Sequence, residues 1–219
     1  MNILTDKKML RRIWMTVFGV CICGISVGLF SLSALGMDPF QIFAHGVWRC
    51  TSLSFGTCYT ILCAIMLVIV LITDRSKIGL GTVINLFLVG YLADFSERIF
   101  GALIPGRDLV TRLCLLLAAL VIMCFSSAFY FSANLGVSVY DALSLTVSER
   151  TPIPFQVCRI TSDLICVIAG GLLCYLSDRS LSADGALLST AGIGTIITAF
   201  FMGPVIAWFR KKLTDPMVK

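Results

Sequence analysis

Two motifs in this 219-residue chain occur twice, each about a hundred residues from its counterpart. SLSALGMDPF at 31–40 answers to YFSANLGVSVYD at 130–141, which places Gly36 over Gly136 at an offset of 100. GLGTVINLFLVG at 79–90 answers to GIGTIITAFFMG at 192–203 at an offset of 113, with Gly79, Gly81, Thr82 and Gly90 over Gly192, Gly194, Thr195 and Gly203. If each copy crosses a membrane three times, the odd number forces the copies into opposite orientations. That is the inverted-repeat architecture of many secondary transporters. The natural division is a first three-span repeat at 1–108 and a second at 109–219, together one membrane domain.

The membrane reading rests on six apolar stretches, roughly 13–35, 55–73, 78–95, 113–133, 157–176 and 187–209. Each approaches the ~20 residues a helix needs to span hydrocarbon. Only 13% of the residues are charged, against about 25% in a soluble domain. Continuous apolar runs exclude a barrel, which needs alternating segments of ~10 residues. The expected class is therefore all-α, with six transmembrane helices in two inverted three-helix repeats.

The net charge of +5 is read as a topology signal and not as a nucleic-acid signal. With the N-terminus inside, twelve of the 17 Lys and Arg fall on inner segments, and Arg49, Arg98, Arg107, Arg112 and Arg179 on outer ones. This bias predicts both termini in the cytoplasm. The basic start followed by a long apolar run, without a clean cleavage site, reads as an uncleaved first span.

The ten cysteines form no C-x-x-C pair and most fall inside spans as small apolar residues. Cys50 and Cys58 fall near the outer face and are the one pair that an oxidising compartment would join. With a single histidine, His45, and no clustered ligands, neither metal nor cofactor is expected.

Each first motif opens a short helix. Asp38-Pro39 is a strong helix start, and Ser138 takes the N-cap place in the second copy. Phe40, Phe43 and Val47 fall on one face, with Gln41, His45 and Arg49 along another; Asp141 and Ser148 mark the polar side of the second helix. Both segments are too short to cross the bilayer. They either lie in the interface or dip in and return as re-entrant half-helices pointing polar ends at a shared site.

Glycines mark predicted helix contacts: Gly24 and Gly28 in a GxxxG pattern, then Gly81, Gly90, Gly194 and Gly203. Such patterns serve packing within the chain or between protomers, so a homodimer is one outcome. The Gly-x-Gly-Thr elements lack the strand and third glycine of a dinucleotide fingerprint.

Polar residues within spans are costly and therefore informative. Arg159 and Asp163, at i,i+4 in the fifth span, are the leading candidates for a substrate or ion-coupling site. Their repeat partners are Tyr59 and Cys63, so the duplication does not impose the charges. Asp38, Asp141, Asn85 (aligned with Thr198), Thr82 and Thr195 complete the candidate lining, and His45 is a candidate proton relay at the outer mouth. Asp94, Glu97 and Arg98 read as a solvated rim. No enzyme is expected, because a Ser–His mechanism would have to use His45 and no G-x-S-x-G elbow occurs.

Ala34-Leu35-Gly36-Met37-Asp38-Pro39-Phe40, the run from Gly79 through Gly90, and Asp94 resemble the YczE/YyaS/YitT group of bacterial integral membrane proteins. The resemblance extends from about residue 13 to 209. It implies an inner-membrane protein with about six spans and supplies no reaction. Three functions remain open on the sequence: an ion-coupled secondary transporter or exporter of an unidentified small molecule, a channel or facilitator, and a substrate-binding or accessory subunit of a larger transport complex.

Overall fold

A computed structural model describes residues 3–106, 108–177 and 192–218. Among them every regular element is helical: α1 (Ile3–Ser33), α2 (Pro39–Arg49), α3 (Phe55–Thr73), α4 (Leu80–Leu103), α5 (Leu109–Ala133), α6 (Val139–Arg150), α7 (Phe155–Ser177), α8 (Ile193–Phe209) and the short α9 (Asp215–Val218). A π-turn at Arg210–Thr214 joins α8 to α9. Arg107, Arg179 and Lys219 of the charge count lie outside the described residues, as do residues 187–191 of the sixth apolar stretch.

Five stretches are long and apolar enough to cross a membrane: Lys7–Ser33, Phe55–Thr73, Leu109–Ala133, Val157–Ser177 and Ile193–Val218. Their outward faces are apolar, with Ile65, Ile72, Ile160, Ile165 and Phe200 exposed. The 24-residue α4 is not among the five. Asn85, Asp94, Glu97 and Arg98 interrupt its apolar sequence.

Contacts fix the relative directions of the helices. Gly24 and Gly28 of α1 meet Leu92 and Ser96 of α4 in ascending order, so these two run parallel. Cys23 and Ser26 meet Met123 and Ala119 in descending order, so α1 and α5, the equivalent first helices of the two copies, run antiparallel. Gly56 meets Tyr91, and Thr60 the carbonyl of Leu86, which makes α3 antiparallel to α4. Leu116 beside Gly194 and Cys124 beside Met202 make α8 parallel to α5. Gly46 beside Gly170 and Arg49 beside Ser177 make α7 parallel to α2.

The repeated motifs explain each other in this arrangement. Ala34 and Asn134 take left-handed backbone at φ 48° and 50°, and Gly36 and Gly136 follow at φ 112° and 109°. One turn is thus built twice, and glycine is required where φ is positive and the backbone approaches closely. The Leu35 carbonyl accepts the Gly194 N–H at 2.7 Å, and the Leu135 carbonyl accepts the Gly81 N–H at 2.8 Å. The first motif of each copy therefore docks on the second motif of the other. A Cβ on Gly36 would lie 2.8 Å from the Gly192 nitrogen, and one on Gly136 would lie 2.6 Å from the Gly79 nitrogen. Thr82 secures its turn by donating to the Val137 carbonyl at 2.7 Å; the Thr195 hydroxyl, beside Gly36, is buried without a partner among the described residues.

At the other helix ends, polar caps do the same work. Asp74 closes the α3–α4 hairpin by accepting the Ser76 hydroxyl at 2.7 Å and its N–H at 2.9 Å, which hold its carboxyl below the usual range. Arg112 at the head of α5 donates to the Ser33 carbonyl at 2.8 Å and to that of Ala34, closing α1.

The glycine contacts are not uniform. A Cβ on Gly28 would fall 1.9 Å from the Ser96 hydroxyl oxygen, and one on Gly90 would fall 3.0 Å from the backbone of Gly56. Gly203, the repeat partner of Gly90, has nothing within 4 Å of that position, so it is not the helix contact its sequence place suggested. Gly90→Ala is expected to lower stability by about 1–3 kcal/mol through overpacking. Gly203→Ala should leave it unchanged or slightly raised by helix propensity. Parallel melts of the two purified variants check the difference.

Candidate functional site

The two short helices are packed inside the bundle. Pro39–Ile42 and Ala44–Gly46 of α2 are buried, as are Val139, Tyr140, Ala142, Ser144 and Thr146 of α6. Gln41 and His45 are only 5% and 4% exposed, so the polar stripe read along α2 does not face solvent. Each short helix is capped at its N-terminus and tied to its surroundings at its far end. At its start, Asp38 accepts the Phe40 N–H at 3.2 Å, and Ser138 accepts the Asp141 N–H at 3.1 Å. At the far ends, Ser177 donates to the Arg49 carbonyl at 2.8 Å, while Lys77 pairs with Glu149 and Arg150 donates to the Thr73 carbonyl.

The two N-termini meet. Phe40 stacks on Tyr140 with ring centroids 5.0 Å apart, and the Cys23 thiol lies 3.6 Å from the Met123 sulfur. Both pairs are residues one offset of 100 apart. Each of these residues thus touches its own counterpart at that offset.

A cavity of about 360 Å³ opens beside these contacts. Asp38, Gln41, Asn85, Asp141, Arg159, Asp163 and Thr198 line it, with Tyr59 and Cys63 on α3. The structure thus brings together five candidate residues from four separated segments. Thr82, Thr195 and His45 are not among the lining residues. The two threonines belong to the turns described above. His45 is turned against Phe55, ring centroids 4.3 Å apart, with its Nδ1 3.0 Å from the Gln41 carbonyl. That buried aromatic setting keeps it away from the cavity.

Arg159 organises the charges. It pairs with Asp141, and its Nε lies 3.3 Å from the Asp163 carboxylate. Its guanidinium sits 4.4 Å from the centre of the Tyr140 ring, a cation–π distance. Tyr140 donates its hydroxyl to Asp163 at 2.6 Å, and Ser138 donates to Asp141 at 2.7 Å. Asp141 and Asp163 are therefore held by one cation and two hydroxyls. Asp38 caps α2 and makes no ion pair among the described residues.

Two features escaped the sequence. Gln41 supplies a buried side-chain oxygen with no hydrogen-bond partner among the described residues. The available signal was a glutamine in the first turn of a helix that opens with Asp-Pro. Asp94, read as part of a solvated rim, accepts the Gly56 N–H at 2.8 Å and so caps α3. Cys50 and Cys58 are free thiols. The described residues contain no cluster of three metal-ligating side chains.

No solved structure matches the chain. An uncharacterized protein of Haemophilus influenzae is 26% identical over 200 residues, covering 91% of this chain and 83% of that protein. The uncharacterized membrane protein YczE of Bacillus subtilis is 24% identical over 203 residues, covering 91% and 86%. The second match bears out the resemblance carried by the LG-x-D-P and GxGT motifs, and with the apolar helices it makes this a multi-pass membrane protein. The model of a family of unknown function, DUF6198, matches residues 10–211, and the chain belongs to that family.

Proposed function

We propose that the protein is a small secondary transporter working by ion-coupled alternating access across a bacterial inner membrane. One observation carries the reading: the short helices α2 and α6, one from each copy, bring their N-termini together at one cavity whose lining includes Asp38, Asp141, Arg159 and Asp163. Secondary transporters place substrate and coupling ions at such repeat interfaces, with broken helices around them.

The reading includes α4 as a sixth crossing. Its 24 residues extend about 36 Å at 1.5 Å each, enough for hydrocarbon of about 30 Å. It packs parallel to α1 and antiparallel to α3. Residues 1–108 and 109–219 then form inverted repeats, α2 and α6 are re-entrant, and both termini face the cytoplasm, in keeping with the basic inner segments. In mechanism, the copies rock about the turns at Gly36 and Gly136 while the cavity faces one side and then the other. The protein needs no enzyme chemistry or nucleic-acid partner for this, only the bilayer and a solute.

Compounds that raise the melting temperature of the purified protein are to be assayed for uptake into proteoliposomes. The expected result is gradient-dependent, saturable uptake that Thr198→Trp abolishes by filling the cavity and that Phe87→Trp, on an exposed face of α4, leaves intact. Fast flux indifferent to imposed ion gradients would replace the transporter by a channel. Binding without flux, together with co-purification of an ATPase, would replace it by an accessory subunit.

A further inference from the structure

The charges around the cavity do not balance. Among the described residues, three carboxylates (Asp38, Asp141 and Asp163) face one guanidinium, that of Arg159, a formal excess of two negative charges. The helix N-termini offset part of this. Each carries roughly half a positive charge, so α2 and α6 together supply about one. About one negative charge is left over in a setting where an uncompensated charge is costly.

That surplus can be placed. Arg159 is engaged by Asp141 and Asp163, which leaves Asp38 as the carboxylate without an ion pair among the described residues. Three residues on and lining the same cavity, Gln41 is 5% exposed and its Oε1 has no partner among the described residues. A buried acceptor without a donor calls for a group that supplies one. The adjoining wall is aromatic, with Phe40 and Tyr59 edge to face at 5.7 Å. A carboxyl without an ion pair, a neutral acceptor and ring faces together match an ammonium: its N–H groups satisfy both oxygens, and its charge is attracted to the rings.

We propose that the cavity binds a small organic monocation, a primary or secondary ammonium with an apolar body. The ammonium donates to Asp38 and Gln41, and the apolar body lies against Phe40 and Tyr59. This names the substrate class of the transporter proposed above and rests on that reading. The space of about 360 Å³ corresponds to roughly a dozen waters at about 30 Å³ each, which suits a body of that many heavy atoms or fewer. An anion would add to the surplus charge. A neutral solute would leave it uncompensated.

The test uses the full-length protein in lipid nanodiscs and three probes of matched shape: 2-phenylethylammonium, 2-phenylethanol and phenylacetate. Calorimetric titration is expected to show saturable binding of the ammonium and at least tenfold weaker binding of the other two. Asp38→Ser removes the charge yet keeps a capping hydroxyl, as Ser138 does in the other copy, and should weaken the ammonium at least tenfold. Gln41→Leu should weaken it severalfold, and Asp38→Glu should keep most of it. Phe87→Trp should change nothing. A cooperative melt of each variant shows that it is folded. Phenylacetate binding as tightly as the ammonium, ammonium binding unchanged in both Asp38→Ser and Gln41→Leu, or no ammonium binding by a folded protein would each overturn the proposal. Flux of another solute by a protein that binds no ammonium would overturn this substrate class and leave the transporter standing. Ammonium bound through Asp38 but never carried would do the reverse.

Discussion

Arg159→Met should cost about 3 kcal/mol of stability, because removing one member of a buried ion-pair network leaves its partners as uncompensated charges. Arg159 faces both Asp141 and Asp163, with side chains about a quarter to a sixth exposed: 26% for Arg159, 17% and 22% for the carboxylates. Partial exposure places the effect at the lower end of the range for buried pairs. Removing the carboxylates as well should recover most of the loss, so the triple variant Arg159→Met, Asp141→Asn, Asp163→Asn is expected to melt close to the parent. Thermal unfolding of the two purified variants in one detergent measures this. An undisturbed single variant would show that the three groups do not form the network described. Full recovery in the triple variant would assign Arg159 a role other than structural support, since the fold would then stand without it.

The second large effect is at the crossed turns. Gly136→Ala places a Cβ 2.6 Å from the backbone nitrogen of Gly79 and imposes a side chain at φ 109°. Backbone cannot yield as a flexible side chain would, and the positive φ adds strain of about 1–2 kcal/mol to overpacking of about 1–3 kcal/mol. A loss of at least about 2 kcal/mol is expected, with Gly36→Ala similar because it meets Gly192 in the same way. Gly106→Ala, where nothing lies within 4 Å, is the matched control. Equal melts for all three would mean that the turns do not dock across the two copies.

The difference between what could and could not be read from the sequence has a physical basis. Long apolar runs report directly on burial in lipid, and they located α1, α3, α5 and α7 to within a few residues, apart from the polar first turns of α1 that extend beyond the apolar run. The N-caps at Asp38 and Ser138 were legible because capping is local chemistry. Arg159 and Asp163 were legible because an i,i+4 charge pair inside an apolar helix has few other uses. The pairing of the LG turns with the GxGT elements was not legible, although both motifs were plain. It joins Leu35 to Gly194 and Leu135 to Gly81, and a repeat viewed within one copy says nothing of contacts with the other. The same holds for Asp141, whose partner Arg159 lies 18 residues away on another helix. Helical periodicity put Gln41, His45 and Arg49 on one side of α2, but it shows only which residues share a side, and tertiary packing decides what that side meets. Here both sides of α2 are covered.

The inverted arrangement itself is the central claim, and it can be measured without knowing the solute. Ser52 and Pro152 are repeat partners at the offset of 100, and both are exposed beyond the far ends of α2 and α6. In a background with the ten native cysteines replaced, Ser52→Cys and Pro152→Cys are to be treated in intact cells with a membrane-impermeant maleimide, then again after permeabilisation. Inverted repeats predict that position 52 is labelled in intact cells and position 152 only after permeabilisation. Labelling of both positions from the same side would contradict the account.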